Sequence, residues 1–249
     1  MWLNPIVFKW EPFVDSSTGF RSGEWRRSRE LLLHAEQILV NSTTDLDRVN
    51  SIMDIRRAID RRVRLLDTRY SFRSIPNKEK PSDPLGLVEF VGLIRPRMLQ
   101  KLIDIRNAVE HKDADSPDID TCEVFVDFAW YFLKSTDFIT QRVIDRTTFA
   151  DSENGCWVEV WIDPPDQWRP RLRGWIPSTL ISNEPRDQWP FLKMKKLETR
   201  ADGEQDDCGY GNKTCDRFFE ADVLGSGEAL RKLYQIYFEW FEYADEGCA

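Results

Sequence analysis

The sequence lacks several features that assign a chain to a common protein class. It contains no apolar run of about 18 residues, which argues against a membrane-spanning helix, and its N-terminus does not have the pattern of a signal peptide. No glycine-rich phosphate loop, HExxH or GxSxG motif is present. Only two histidines occur in 249 residues, so no Ser/His/Asp triad can be argued. We therefore expect a cytoplasmic protein with no membrane partner.

The cysteines are few and scattered. Their number, five, is odd, and their spacing does not resemble a secreted disulfide framework. Cys208 and Cys215 bracket the stretch CGYGNKTC, where they can either pair or hold a metal. A metal is the weaker alternative because no histidine and no second CxxC lies nearby. The sequence thus predicts neither a metal site nor a cofactor.

The net charge of −8 is unevenly distributed. Residues 21–112 carry more basic than acidic side chains, whereas residues 113–249 are strongly acidic. A polyanion such as RNA is therefore expected to approach the first half of the chain. Arg57, Arg61 and Arg64 follow helical spacing and are candidates for contacting an RNA backbone. A solvated helix face explains the same spacing, and both interpretations stay open.

The first half of the chain has the periodicity of helices. Apolar residues recur every three or four positions in 31–41 and 45–67, with a turn and an N-cap between them at 42–45. A third helical pattern runs from Leu85 to about Lys112, where Pro96 is expected to kink or restart it. Another apolar helix follows the polar loop DADSPDID. Short connections between such helices favour an antiparallel bundle.

The pattern changes near Thr147. Strict alternation in CWVEVWID (156–163) predicts a strand, and 171–178, 190–198 and 216–224 are further candidates before a final amphipathic helix. The predicted fold class is therefore multidomain, with an N-terminal all-α helical bundle followed by a small α+β domain with an antiparallel sheet and a C-terminal helix. The predicted boundaries are 1–20 for an N-terminal strand or arm, 21–146 for the bundle and 147–249 for the α+β domain.

The stretch IDIRNAVEHKD (103–113) places an arginine, an asparagine and a histidine at the end of one helical pattern. On a helical wheel, Asn107 and His111 share a face, whereas Arg106 and His111 point about 140° apart. Leu99 and Ile103 continue the polar face as an apolar strip that the bundle core does not use. If this strip is a self-complementary contact, a two-fold axis brings two copies of the cluster together. Alternatively, the helix loosens at Glu110 and frees the histidine ring. In either case the cluster is predicted to be half of a site shared by a homodimer.

The sequence R-N-x-x-x-H at 106–111, at the end of a long helix of a bundle, resembles the signature of the HEPN superfamily. The resemblance covers about residues 24–145 and implies a HEPN-like helical domain. HEPN proteins are commonly metal-independent ribonucleases of toxin–antitoxin, phage-defence and CRISPR-associated systems, and some members are inactive binding modules. By resemblance, an antitoxin or another subunit of a defence complex is an expected protein partner.

The resemblance implies a role for each matching residue. His111 transfers the proton, Arg106 binds the scissile phosphate, and Asn107 orients the phosphate or the histidine. Attack by the ribose 2′-hydroxyl then leaves a 2′,3′-cyclic phosphate and requires no metal. The alternative is a catalytically inactive HEPN-like subunit used for binding or dimerisation. The second histidine, His34, is expected to be a packed or rim residue.

Overall fold

The structure is a computed structural model of the chain, and it describes residues 1–20, 23–110, 117–164, 166–184, 193–201, 215–224 and 227–239. Within these ranges no helix is long and apolar enough to cross a lipid bilayer. The helices are α1 (Glu24–Val40), α2 (Asp45–Tyr70), α3 (Pro84–Phe90), α4 (Pro96–Glu110), α5 (Ile119–Gln141) and α6 (Glu228–Glu239). The strands are β1 (Trp2–Leu3), β2 (Glu11–Gly19), β3 (Arg142–Asp151), β4 (Cys156–Asp163), β5 (Gln167–Ile176), β6 (Ile181–Ser182), β7 (Met194–Ala201) and β8 (Arg217–Val223).

The chain divides into two compact units. One comprises Met1–Thr18, Ser74–Lys80 and Val143–Ala249, and the other comprises Gly19–Arg73 and Pro81–Arg142. We call the first the sheet unit, because it holds β3 to β8 and most of β2, and the second the helical unit, because it holds α1 to α5.

In the helical unit, α1, α2 and α5 pack against one another. The apolar stripe predicted for α2 is buried at Ile52, Ile55, Ile59, Val63 and Leu66, as expected for a helix that packs on one face. The predicted N-cap between α1 and α2 is also confirmed, since Asp47 N donates to the side chain of Thr44 and Thr44 N donates to Asp47 Oδ2. Hydrogen bonds from Thr43 and Thr44 lower the pKa of Asp47.

A buried arginine joins these three helices. Arg62 of α2 is fully buried, and its Nη1 donates to Leu133 O (2.8 Å) and Thr136 Oγ1 (3.0 Å) on α5. Its Nη2 donates to Asp137 Oδ1 (2.8 Å) on α5 and to Trp25 O (3.4 Å) on α1. A guanidinium group has five N–H donors in a fixed plane, so one side chain can bind groups on two neighbouring helices.

Asp137 is the counter-ion of this arginine. Burial lowers the pKa of Arg62, and the hydrogen bond and charge of Asp137 oppose that shift. The half-exposed Arg29 of α1 donates to the second oxygen of the same carboxylate. Asp137 therefore accepts from both α1 and α2, and the two arginines share one negative charge.

The sheet unit is built on a six-stranded antiparallel sheet with the strand order β2-β3-β4-β5-β8-β7. One face carries apolar residues such as Val158, Leu172 and Phe219. Helix α6 is attached to β3 and β5 by two buried tyrosines: Tyr237 donates to Ile144 O (2.7 Å) and Tyr234 donates to Trp168 O (3.0 Å). Burial raises the pKa of both phenols, so they act as neutral donors.

The predicted fold class is wrong. The chain is a mixed α/β protein without an all-α N-terminal part, because residues 11–19 form β2 at one edge of the six-stranded sheet. Within the same N-terminal stretch, IVFKW (6–10) lies largely in a 3₁₀-helix at Pro5–Lys9. Pro5 occupies its first position and Asn4 Oδ1 accepts from Ile6 N (3.0 Å), both of which favour a helical turn.

The cysteine pairing also differs from the expectation. Cys215 forms a disulfide with Cys156, 59 residues earlier, so it is not available to pair with Cys208 or to bind a metal. The bond lies in an apolar cluster with Trp175 and Phe218. It joins the start of β4 to the segment before β8, two strands that are both neighbours of β5. Because 59 residues separate the two cysteines, local spacing in the sequence does not predict that they pair.

The Arg62 network predicts a large stability effect. We expect Arg62→Ala to lower the free energy of unfolding by about 3–5 kcal/mol, because the Asp137 carboxylate loses its buried partner. Arg61→Ala, next to it but exposed, should change stability by less than about 0.5 kcal/mol. Urea denaturation of the two variants and the wild type measures both values, and similar losses in the two variants would contradict this role for Arg62.

Candidate functional site

Residues 106–110 of the motif are the last residues of α4. Arg106 and Asn107 are in the last two turns of this helix, and the Asn107 side chain is exposed. Ile105, two residues before Asn107, is buried. This places the polar side of α4 away from its packed side, as the helical wheel requires. The Arg106 side chain and all of His111 lie outside the described residues.

The predicted dimer strip lies on the same helix. Ile103 is half-buried, and the Leu99 side chain lies outside the described part. The structure therefore places Arg106, Asn107, Leu99 and Ile103 on one element.

A second candidate site is a groove between α1 and α2, which we call the arginine groove. Its first cavity, of about 430 Å³, is lined by Arg27 from α1 and by Arg57, Arg61 and Arg64 from α2. The three arginines of α2 are exposed and lie four and three residues apart, so they share one face of the helix. The structure thus brings together the arginines that the sequence proposed for RNA binding and adds Arg27 to them.

The first cavity also contains two carboxylates, and both have arginine partners outside it. Glu24 pairs with Arg69 (3.2 Å) and Asp60 pairs with Arg56 (3.7 Å). Within the part of the chain that the structure describes, no ion pair involves Arg61. The positive charge of this end of the groove is therefore only partly neutralised.

Charge at the other end of the groove is more nearly balanced. Arg27 pairs with Glu30 (2.9 Å), and Arg57 pairs with Asp54 (2.9 Å). These are i,i+3 pairs on single helices, whose strength in water is modest because both arginines are largely exposed. They hold the two guanidinium groups at the rim without burying them.

The groove continues into a second cavity of about 570 Å³ that shares Arg27, Leu31 and Arg57 with the first. His34 lies at this end, with its side chain 62 % exposed, and its Nδ1 is 2.7 Å from Oδ2 of Asp54, whose side chain is only 9 % exposed. An ionised carboxylate only accepts hydrogen bonds, so Nδ1 carries the proton. The second ring nitrogen, Nε2, is then free of that proton when the ring is neutral.

His34 thus lies at the rim of the groove, as expected. Its hydrogen bond with Asp54 was not predicted from the sequence. The two residues lie on different helices, 20 positions apart, and no local motif joins them. Asp54 uses its other oxygen to accept from Arg57 Nη1. One buried carboxylate therefore orients both a histidine and an arginine at the rim of the groove.

Within the described ranges, no three His, Cys, Asp or Glu side chains come together as a metal site requires. Comparison of the chain with family models, with curated proteins and with solved structures finds no match. The function of the candidate sites is therefore inferred from the chemistry of their own residues.

The pairing of His34 with Asp54 predicts an unusual tautomer. In ¹⁵N NMR spectra recorded where the His34 ring is neutral, the ring should carry its proton on Nδ1, because the Asp54 carboxylate accepts a hydrogen bond from that atom. The chain has two histidines, so His111→Gln assigns the signals. Asp54→Ala should release the ring to the Nε2–H form. A wild-type His34 protonated on Nε2 would contradict the hydrogen bond.

Proposed function

We propose that the protein is a metal-independent endoribonuclease of the HEPN type, with Arg106, Asn107 and His111 as its catalytic residues. The observation that carries the proposal is the R-N-x-x-x-H sequence at 106–111, whose first five residues are the last residues of α4. Supporting it, Asn107 is exposed to solvent while Ile105 on the opposite side is buried. The proposed substrate is RNA.

In the proposed reaction, a ribose 2′-hydroxyl attacks the adjacent phosphorus. The 2′-oxygen–phosphorus bond forms, the bond from phosphorus to the 5′-oxygen breaks, and a 2′,3′-cyclic phosphate results. His111 accepts the proton of the 2′-hydroxyl or supplies the proton of the leaving 5′-oxygen. Arg106 offsets the negative charge that grows on the phosphate oxygens, and Asn107 orients the phosphate or the imidazole. Water exchanges the proton that His111 does not transfer, and no metal takes part in the proposed reaction.

The helical wheel favours a site shared by two chains. On a regular helix, positions 106 and 111 point about 140° apart, so a single helix is not expected to direct both side chains at one phosphate. We propose a homodimer that forms along the strip of Leu99 and Ile103, so that Arg106 of one protomer faces His111 of its partner. Each dimer then has two identical composite sites.

The cleavage test uses single-stranded RNA in EDTA. The wild type should produce fragments ending in 2′,3′-cyclic phosphate, and Arg106→Ala and His111→Ala should each reduce the rate at least about a hundredfold. Arg97→Ala, an exposed arginine at the start of the same helix, serves as the control and should cleave at the wild-type rate. A strand of the same sequence with 2′-deoxyribose at every position should remain intact, because it lacks the 2′-hydroxyl nucleophile.

Two results would contradict the proposed ribonuclease activity of these residues. Equal cleavage by the wild type and both motif variants places the activity elsewhere, including in a contaminant. A wild type that binds RNA without cutting it identifies the alternative, an inactive binding or dimerisation subunit.

The composite site is tested by mixing inactive variants. When Arg106→Ala and His111→Ala are combined and allowed to exchange subunits, a heterodimer has one site with both mutations and one site with neither. Because half of the dimers are then mixed, activity should return to about a quarter of the wild-type value. Ile103→Asp, placed in the strip, should prevent the recovery by weakening the dimer. A mixture that stays inactive would show that each site lies within one chain.

A further inference from the structure

The arginine groove is long, open and narrow. The residues of α2 that line its two cavities extend from Asp54 to Thr68, which corresponds to about 21 Å along the helix. Its two walls are packed helices, whose axes lie about 8–10 Å apart. Such a shape suits an extended chain, whereas a double helix is too wide to enter it.

The chemistry of the groove favours phosphate. Guanidinium groups bind phosphate oxygens through two parallel N–H donors, and Arg61 is exposed without an ion pair in the described part of the chain. Arg57, Arg61 and Arg64 follow the long axis of α2, so a strand lying in the groove meets one arginine after another. The floor contributes Leu31 and Leu65 rather than aromatic rings, so stacking on bases is not offered there.

We propose that the arginine groove binds the sugar–phosphate backbone of a single-stranded RNA, at a site separate from the motif of α4. Arg61 and Arg64 hold phosphates at the positive end, and Arg27 and Arg57 line the strand's path toward His34. At that end Nε2 of His34, kept as an acceptor by Asp54, receives a hydrogen bond from a ribose hydroxyl. The choice of RNA over other polyanions rests on the proposed ribonuclease function.

Binding of the groove to the sugar–phosphate backbone leads to two measurable expectations. The affinity is independent of base sequence, because phosphate contacts position a strand without reading it. The affinity also falls with salt, and each phosphate contact to a single strand contributes about 0.7 to the slope of log K against log salt. Removing two arginines that hold phosphates should therefore reduce that slope by about 1.4.

The test measures binding of a fluorophore-labelled single-stranded RNA to the full chain carrying His111→Ala, which prevents cleavage. In this background Arg61→Ala/Arg64→Ala should weaken binding about tenfold or more and reduce the salt slope as stated. The matched control is Arg97→Ala/Lys134→Ala, which removes the same charge from exposed helical positions outside the groove and should retain the affinity and the slope. Urea denaturation of each variant establishes that all are equally folded.

His34 and the nature of the polyanion are tested separately. Single-stranded DNA of the same sequence should bind more weakly than RNA, and His34→Ala should remove that difference by lowering only the RNA affinity. Full affinity in the groove variant, or an equal loss in the control variant, would overturn the proposal. Competition by polyglutamate as strong as that by unlabelled RNA would instead assign the groove to an acidic protein segment.

The binding test of the groove and the cleavage test of the motif can fail independently of each other. If RNA binds through the groove and the wild type does not cut it, only the ribonuclease proposal fails. If the wild type cuts RNA and the groove variant binds normally, only the groove proposal fails.

Discussion

The buried ion pair between Arg62 and Asp137 is the interaction on which the helical unit most depends. It fixes the rotation of α2, because a guanidinium that must reach α5 and α1 allows only one face of the helix to turn inward. Once Arg62 points inward, Arg57, Arg61 and Arg64 must point outward. Five arginines within nine residues of α2 thus differ in role through their angular position alone, and the same contact that stabilises the unit exposes the groove's charge.

Local patterns in the sequence predicted the elements that pack on one face. The stripe of α2, the cap at Thr44 and the alternation of β4 were all identified correctly because each depends on neighbouring residues. Two strands were missed. β3 follows α5 directly, with no glycine or proline to mark the change, and β2 is an edge strand that contains Pro12 and several polar residues. These two omissions made the predicted fold class wrong, because β2 brings residues 11–19 into the sheet and β3 begins at Arg142, inside the predicted bundle.

The candidate sites show the same division between local and distant information. The R-N-x-x-x-H motif is visible in the sequence because its residues lie within six consecutive positions of the chain. The pair of His34 and Asp54 depends on how α1 and α2 are rotated against each other, a quantity that no sequence pattern states. The burial of Arg62 is similar, since an arginine in a run of arginines resembles a solvated face until its partners on other helices are known.

The order of the two units along the chain has a consequence for synthesis on the ribosome. All of the helical unit has been translated by Arg142, whereas the sheet unit still requires β8 and α6, which begin at Arg217 and Glu228. The helices can therefore pack while β2, translated before them, still lacks the strands of its sheet. Because the chain passes from one unit to the other and back, neither unit corresponds to a single contiguous fragment. Nascent chains stalled before residue 217 would thus present an unpaired sheet edge to chaperones.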